Sequence, residues 1–528
     1  MERDMGTRIG RREFIARTAR WGIAGTLGPT VFHGCAKMRR KRPNILVILL
    51  DALRADRVGC YGYGRPTTPN IDRIATEGAV MLRNYAQGPD TWISMPSFFS
   101  GLHPPACKAD SCLKLVESIE TFPEALAERG YSNFLFNSNP VVAEERGTTQ
   151  GFEEITLFNR GDEFGSQMRE MIRSASSAQP FFLFVHITVP HVPYDPPAEF
   201  IDKLVSERPA TMDKLMRITS RDSRVKPEDA NGWLSVFVEE LPFSEAEKKC
   251  VEQLYDANIA RADYYVGVAD DEIDKLGLRD DTLLAIMSDH GEELFEHGFM
   301  DHGRRVHEEL LRTPLVLRLP GQIPLLRAEA LVENLDIGAT LLDYAGGARE
   351  FGQGRSIRRV MEGRSQTIKR NTFGISSLEH LYPQVPELLA LYTGTPALSH
   401  LVTRDAIAYG RLGMDKFVWS TSCVSDGRWR LTMNTATAQE VGLYELDADP
   451  FEKVNRLTPE GPEDAGRVRA GLRTRMDQWQ EECEAFAANH MFCAAPPPDF
   501  LEASPGWVKS LTPEQKERLE KLRSIGYL

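Results

Sequence analysis

Two nearly uninterrupted apolar runs, Asn44-Ile45-Leu46-Val47-Ile48-Leu49-Leu50 and Thr282-Leu283-Leu284-Ala285-Ile286-Met287, each stop at a turn bearing an aspartate. A strand apolar on both faces has to be covered on both, which suits the middle of a parallel sheet packed between helices. The surrounding chain supplies the other parts. Thr121 to Gly130 reads as a helix ended by a glycine and Asn133 to Asn137 as a strand, while Phe181 to Ile187 and Leu315 to Leu319 have strand length and composition. This alternation predicts an α/β fold, with a large mostly parallel sheet and helices on both faces.

Parallel sheets gather functional groups where their strands end, at the carboxyl edge. The first run ends at Asp51. The second ends at Ser288-Asp289-His290-Gly291-Glu292, followed by Glu296-His297-Gly298 and Asp301-His302-Gly303. A carboxylate closing a buried strand is costly unless it is paired or binds a metal; the alternative is an aspartate capping the next helix. His186 and His191 lie at the end of a third strand, and Arg54, Arg57, Arg304 and Arg305 flank the loops, where they could make the cleft locally positive.

These segments, taken in order, resemble the sulfatase family of the alkaline phosphatase superfamily. The resemblance is carried by Arg42-Pro43-Asn44 leading to Asp51, the Gly59-Cys60-Tyr61-Gly62 turn and Thr68-Pro69-Asn70-Ile71-Asp72. It continues through Pro190-His191-Val192-Pro193-Tyr194, the Asp289-His290 loop, Thr313-Pro314-Leu315-Val316 and Tyr444-Glu445-Leu446-Asp447-Ala448-Asp449-Pro450 to the terminal Leu522-Arg523-Ser524-Ile525-Gly526-Tyr527-Leu528. The family implies a catalytic α/β domain (41–348), a smaller C-terminal α+β subdomain (349–493) and a tail (494–528).

The chain also departs from the family. Sulfatases carry a Cys or Ser followed by x-Pro-Ser-Arg, which is oxidised to formylglycine. Aligning Ser100-Gly101 with the Thr-Gly pair that follows places Thr91 at the nucleophile position, with Ile93 and Met95 replacing the Pro and Arg. A threonine Cβ carries a methyl, so oxidation would give a ketone rather than the aldehyde. A second register takes Ser94-Met95-Pro96-Ser97 as the formylglycine motif, and a third reading makes Thr91 a helix N-cap. Where calcium sulfatases have a second aspartate this chain has Ala52, and where they have an asparagine it has His290. Asp51, Thr91, Asp289 and His290 offer three oxygens and one imidazole. That set favours one zinc or manganese ion, with calcium possible, since calcium takes six to eight oxygens.

The resemblance therefore implies a metal-dependent ester hydrolase in which Thr91 attacks and His297 or His302 protonates the leaving group. His186, His191 and Arg54 are expected to contact a small anionic ester, glycan or lipid headgroup. Threonine at the nucleophile position favours phosphate or phosphonate esters over sulfate. The alternatives are a phosphoryl-headgroup transferase and a degenerate fold that only binds an anionic glycan or lipid. A net charge of −13 over 528 residues, with no basic stripe, argues against nucleic acid as a partner.

Residues 1–40 read as a targeting segment. Gly10-Arg11-Arg12-Glu13-Phe14-Ile15 resembles the twin-arginine export motif, and Phe32-His33-Gly34-Cys35 a lipoprotein cleavage box. The expectation is export to the periplasm, with any membrane attachment through a lipid on Cys35. Cys107 with Cys112, and Cys483 with Cys493, could close small loops in an oxidising compartment. Residues from about Glu199 to Glu247, charged and poorly periodic, read as an insertion able to form a lid. From about Arg349 short antiparallel strands are expected at Val418–Ser420, Trp429–Leu431 and Gly442–Tyr444, then a helix near Asp464 to Phe486.

Overall fold

The computed structural model describes residues 42–109, 115–139, 141–158, 163–219, 243–298, 300–303, 305–369, 371–376, 421–435, 437–457 and 465–488. In chain order its first strands are β1 (Asn44–Leu50), β2 (Ala79–Tyr85), β3 (Ser132–Asn137), β4 (Glu154–Leu157), β5 (Phe181–Ile187) and β6 (Thr282–Met287). Then come β7 (Glu293–Leu294), β8 (Met300–Asp301), β9 (Arg312–Thr313), β10 (Leu315–Arg318) and β11 (Leu326–Glu333). Among the described residues the main sheet runs β11-β2-β10-β6-β1-β5-β3-β4, with β9 added to β2. β10 is antiparallel to both of its neighbours, whereas β1, β3, β4, β5 and β6 are parallel.

β1 lies between β5 and β6, with Leu49 opposite both His186 and Met287. The ends of these three strands therefore meet at one edge. Side chains alternate across a strand. Ile45, Val47 and Leu49 face a core shared with Met95, Phe98, Phe99 and Phe122, and Leu46, Ile48 and Leu50 face a second core built largely on the helix Glu245–Lys275. By the same alternation His186, level with Leu49, lies on the face covered by the helix Thr91–Ser100.

That helix is buried except at Trp92. Phe98 and Phe99 pack on Phe122 and Phe184 with ring centroids 5.1–5.8 Å apart, which fixes the helix to the sheet. Pro96 has no N–H to give the Trp92 carbonyl, and Arg146 Nη2 reaches that oxygen instead at 3.5 Å. Gly101 ends the helix in the left-handed conformation, φ +67°, and a Cβ there would meet the Phe351 carbonyl at 2.5 Å.

A separate antiparallel sheet lies further on. After the hairpin β12 (Glu350–Phe351) and β13 (Gly354–Arg355) come β14 (Thr372–Ile375), β15 (Thr421–Ser425), β16 (Trp429–Asn434) and β17 (Glu440–Glu445), paired in sequence order. The helix Ala465–Ala487 covers this sheet through Leu472, Met476, Trp479 and Cys483. Within the mostly parallel sheet Leu315–Arg318 runs antiparallel, and the charged stretch from about Glu199 includes the helices Ala198–Leu204 and Met212–Thr219. Val418–Ser420, residues 220–242, Arg304, Cys35, Cys112 and Cys493 lie outside the described residues. Among the described residues no helix is long and apolar enough to cross a membrane.

Candidate active site

The site is built from four strand ends and one helix start. Asp51 follows β1, His186 is the penultimate residue of β5, Asn139 follows β3, and Asp289 and His290 follow β6. Asp90 caps the helix Thr91–Ser100 by accepting from the Ile93 N–H at 2.9 Å. The cap is thus Asp90, and the Thr91 hydroxyl is available for other contacts. Thr91 Oγ1 donates to Asp289 Oδ2 at 2.7 Å and lies 3.4 Å from His290 Nε2. Ser94, the alternative nucleophile, instead donates to the Gly88 carbonyl at 2.9 Å.

Asp51 is fully buried. Its Oδ2 accepts from Asn139 Nδ2 at 2.6 Å and lies 3.1 Å from His186 Nε2. Its Oδ1 has no hydrogen-bond partner and faces His290 Nε2 at 3.5 Å. Burial opposes the Asp51 charge, yet His191, His186 and His290 around it hold the carboxyl well below the usual range. Ala52 follows with φ +60° and directs its N–H to Asp289 Oδ1 at 3.3 Å, so this turn braces the second aspartate with backbone. His290 Nδ1 must be the protonated nitrogen, because it contacts the Gly291 carbonyl at 2.8 Å, and its Nε2 is left toward Asp51 and Asp289.

The donor atoms fit a metal ion. His290 Nε2 lies 3.4 Å from Thr91 Oγ1, 3.5 Å from Asp51 Oδ1 and 3.7 Å from Asp289 Oδ2. Corners of a tetrahedral shell with bonds of ~2.1 Å are separated by roughly 3.4 Å. Asp51, His186 and Asp289 also offer ligand atoms within 4.8 Å of one another, all buried. Asp51 Oδ1, buried without a hydrogen-bond partner, is an atom that a cation would satisfy. His186, expected to contact the substrate, is fully buried against Asp51 and orients that carboxylate instead.

His302 and His191 line the same site. The His302 ring lies 4.3 Å from the His290 ring and 4.7 Å from that of His191. Burial opposes a charge on His302, but Asp301 and Glu292 outweigh it and hold the imidazole well above its usual value. His297 goes elsewhere. Its Nε2 is 3.1 Å from Glu309 Oε1 and its ring stacks on His307 at 3.9 Å, with no hydrogen bond or ring contact to the Thr91 cluster among the described residues. Arg54 is also withdrawn: fully buried, it bonds Asp56, Glu296 and the Glu292 carbonyl. Asn139 was missed. The signal available was the polar run Asn137-Ser138-Asn139 at a strand end, the same position that exposed Asp51.

The family model described as Sulfatase matches residues 43–348, more than half of the chain. The chain is 24% identical over 414 residues to an N-acetylglucosamine-6-O-sulfatase of Bacteroides thetaiotaomicron, covering 63% of this chain and 73% of the relative. It is 24% identical over 500 residues to a choline-sulfatase of Rhizobium meliloti, covering 85% and 89%. The fold is shared with the crystal structure of a phosphonate monoester hydrolase of Agrobacterium radiobacter, at 18% identity and TM-score 0.59 over 84% of this chain and 96% of that one. The chain belongs to the sulfatase family of ester-hydrolysing enzymes.

Proposed function

We propose that the protein is an exported, metal-dependent hydrolase of phosphate or phosphonate esters that uses an unmodified Thr91 as its nucleophile. The observation that carries this reading is the Thr91 hydroxyl, hydrogen-bonded to Asp289 at 2.7 Å in a site where Ser94 is turned to the Gly88 carbonyl. Zinc or manganese, held by Asp51, Asp289, His290 and Thr91, would supply Lewis-acid stabilisation of the developing charge.

Thr91 Oγ1 attacks phosphorus after its proton has passed to solvent, an ionisation that a cation held by Asp51, Asp289 and His290 would favour. The start of the helix Thr91–Ser100 adds positive potential where the anion binds. His302 Nε2 gives a proton to the leaving oxygen as its bond to phosphorus breaks, and the same nitrogen takes a proton from the water that later hydrolyses the threonyl ester. His186 and Asn139 hold Asp51 in place throughout. A phosphonate monoester hydrolase shares the fold, which supports the substrate class. Export by the twin-arginine route completes the reading and rests on Arg11 and Arg12.

The test is a panel of aryl sulfate, phosphate monoester, phosphate diester and phosphonate monoester, assayed with and without chelator. The expected result is turnover of phosphorus esters, abolished by chelator and restored by zinc or manganese. Turnover of aryl sulfate alone would refute the proposal.

A further inference from the structure

We infer that Glu292 and Asp301 form a carboxylate clamp that positions His302, so that Nε2 is the nitrogen offered to the leaving group. This rests on His302 being the proton donor proposed above. Glu292 Oε1 and Asp301 Oδ1 each lie 3.0 Å from the same His302 Nδ1. A ring N–H needs one acceptor, and a single backbone carbonyl meets that need at His290 and His191. Two buried carboxylates converging on one nitrogen instead fix both the tautomer and the ring plane.

The backbone is arranged for this contact. β7 and β8 pair antiparallel with Glu293 opposite Asp301, which brings Glu292 and Asp301 to the same end of the hairpin. Asp301 is held at φ +80°, a left-handed conformation that is unfavourable for a non-glycine residue and persists only where the surroundings impose it. With Nδ1–H held by the clamp, only Nε2 remains to deliver a proton. That proton moves to the leaving oxygen as the ester bond breaks, Nδ1 keeps its own, and the attacking water returns one to Nε2.

The test uses full-length protein and a series of aryl phosphonate monoesters running from p-nitrophenol to phenol as leaving group. Departure of p-nitrophenolate needs little acid assistance, and departure of phenolate needs much. His302→Gln should lose about a hundredfold in kcat/KM, which reports the steps up to departure of the leaving group, on the phenyl ester and less than about tenfold on the nitrophenyl ester. Glu292→Gln should show the same trend at about tenfold on the phenyl ester, with metal content unchanged. Glu292→Asp, which keeps the carboxylate, should recover part of that loss, and Glu292→Gln/His302→Gln should be no slower than His302→Gln alone. A Glu292→Gln loss equal on every leaving group, or additive with His302→Gln, overturns the clamp while leaving the donor assignment standing. A His302→Gln loss independent of leaving group overturns both. Two metal ions per chain in the wild type, with one lost in Glu292→Gln, would overturn the clamp in favour of a cation held by Glu292, Asp301 and His302, whose ligand atoms also lie within 4.8 Å.

Discussion

Replacing Arg430 by alanine should destabilise the protein by about 3 kcal/mol at pH 8. Arg430 projects from β16, and its side chain is 1% exposed. Nη1 donates to Glu452 Oε1 at 2.6 Å and Nη2 to Glu308 Oε2 at 2.7 Å, joining the smaller sheet to the helical turn Glu308–Leu311. Removing it leaves two carboxylates with side chains 0% and 11% exposed facing one another without their shared cation. Loss of one partner from a buried ionic group costs about 3–5 kcal/mol. The low end applies because His307 still bonds Glu452, and the Tyr85 hydroxyl still bonds Glu308.

The deficit should depend on pH. Burial already pushes the Glu308 carboxyl up despite Arg430 beside it, and without that guanidinium it rises further. Below its raised value the folded variant takes up a proton that the unfolded chain does not, so the penalty shrinks as pH falls from 8 to 5 and returns as pH rises. Guanidinium chloride titrations followed by both fluorescence and circular dichroism read the midpoint shift at each pH. Arg430→Lys should recover less than half, because one ammonium cannot reproduce a fork that spans two carboxylates. A loss below about 1 kcal/mol at pH 8, or one that grows as pH falls, would refute the reasoning.

Further outcomes follow from the same geometry. Gly291→Ala should abolish activity and lower metal content although it removes no functional group, because the new Cβ would meet the Glu309 carbonyl at 1.9 Å and push the Asp289-His290 turn outward; elemental analysis with activity measures both. Asp289→Ala should lose the metal outright, and stoichiometric calcium with no transition metal in the wild type would contradict the ligand assignment. Arg11→Lys with Arg12→Lys should retain precursor in the cytoplasm, read by fractionation and blotting, since lysine lacks the planar guanidinium.

β1 and β6 were legible because strands buried on both faces must be apolar throughout. β2 and β11 were not. β2 ends in Arg83-Asn84-Tyr85, and β11 includes Arg327 and Glu329. Asn84 is tolerated inside because Thr313 and Asn334, far along the chain, satisfy it. The same difficulty separates the site residues. Asp51, Asp289 and His290 stand out because a strand end leaves them one place to go. Arg54 and His297 carry equally suggestive chemistry next to those motifs, but Glu296 claims the first, and Glu309 and His307 the second. Proximity along the chain gives no sign of which way such a side chain turns. Asp90 shows the point in reverse: an acid one residue before Thr91 takes the capping role by its bond to the Ile93 N–H.

The account stands on covalent attack by an unmodified threonine, and peptide mapping of the enzyme quenched during turnover tests this most directly. His302→Gln supplied with p-nitrophenyl phosphonate suits the trap: the leaving group departs without acid, while hydrolysis of the ester lacks its base. The account predicts a phosphonyl adduct on Thr91, with Ser94 unmodified and no aldehyde at either position. An aldehyde at Ser94, or an adduct on any other residue, would contradict it.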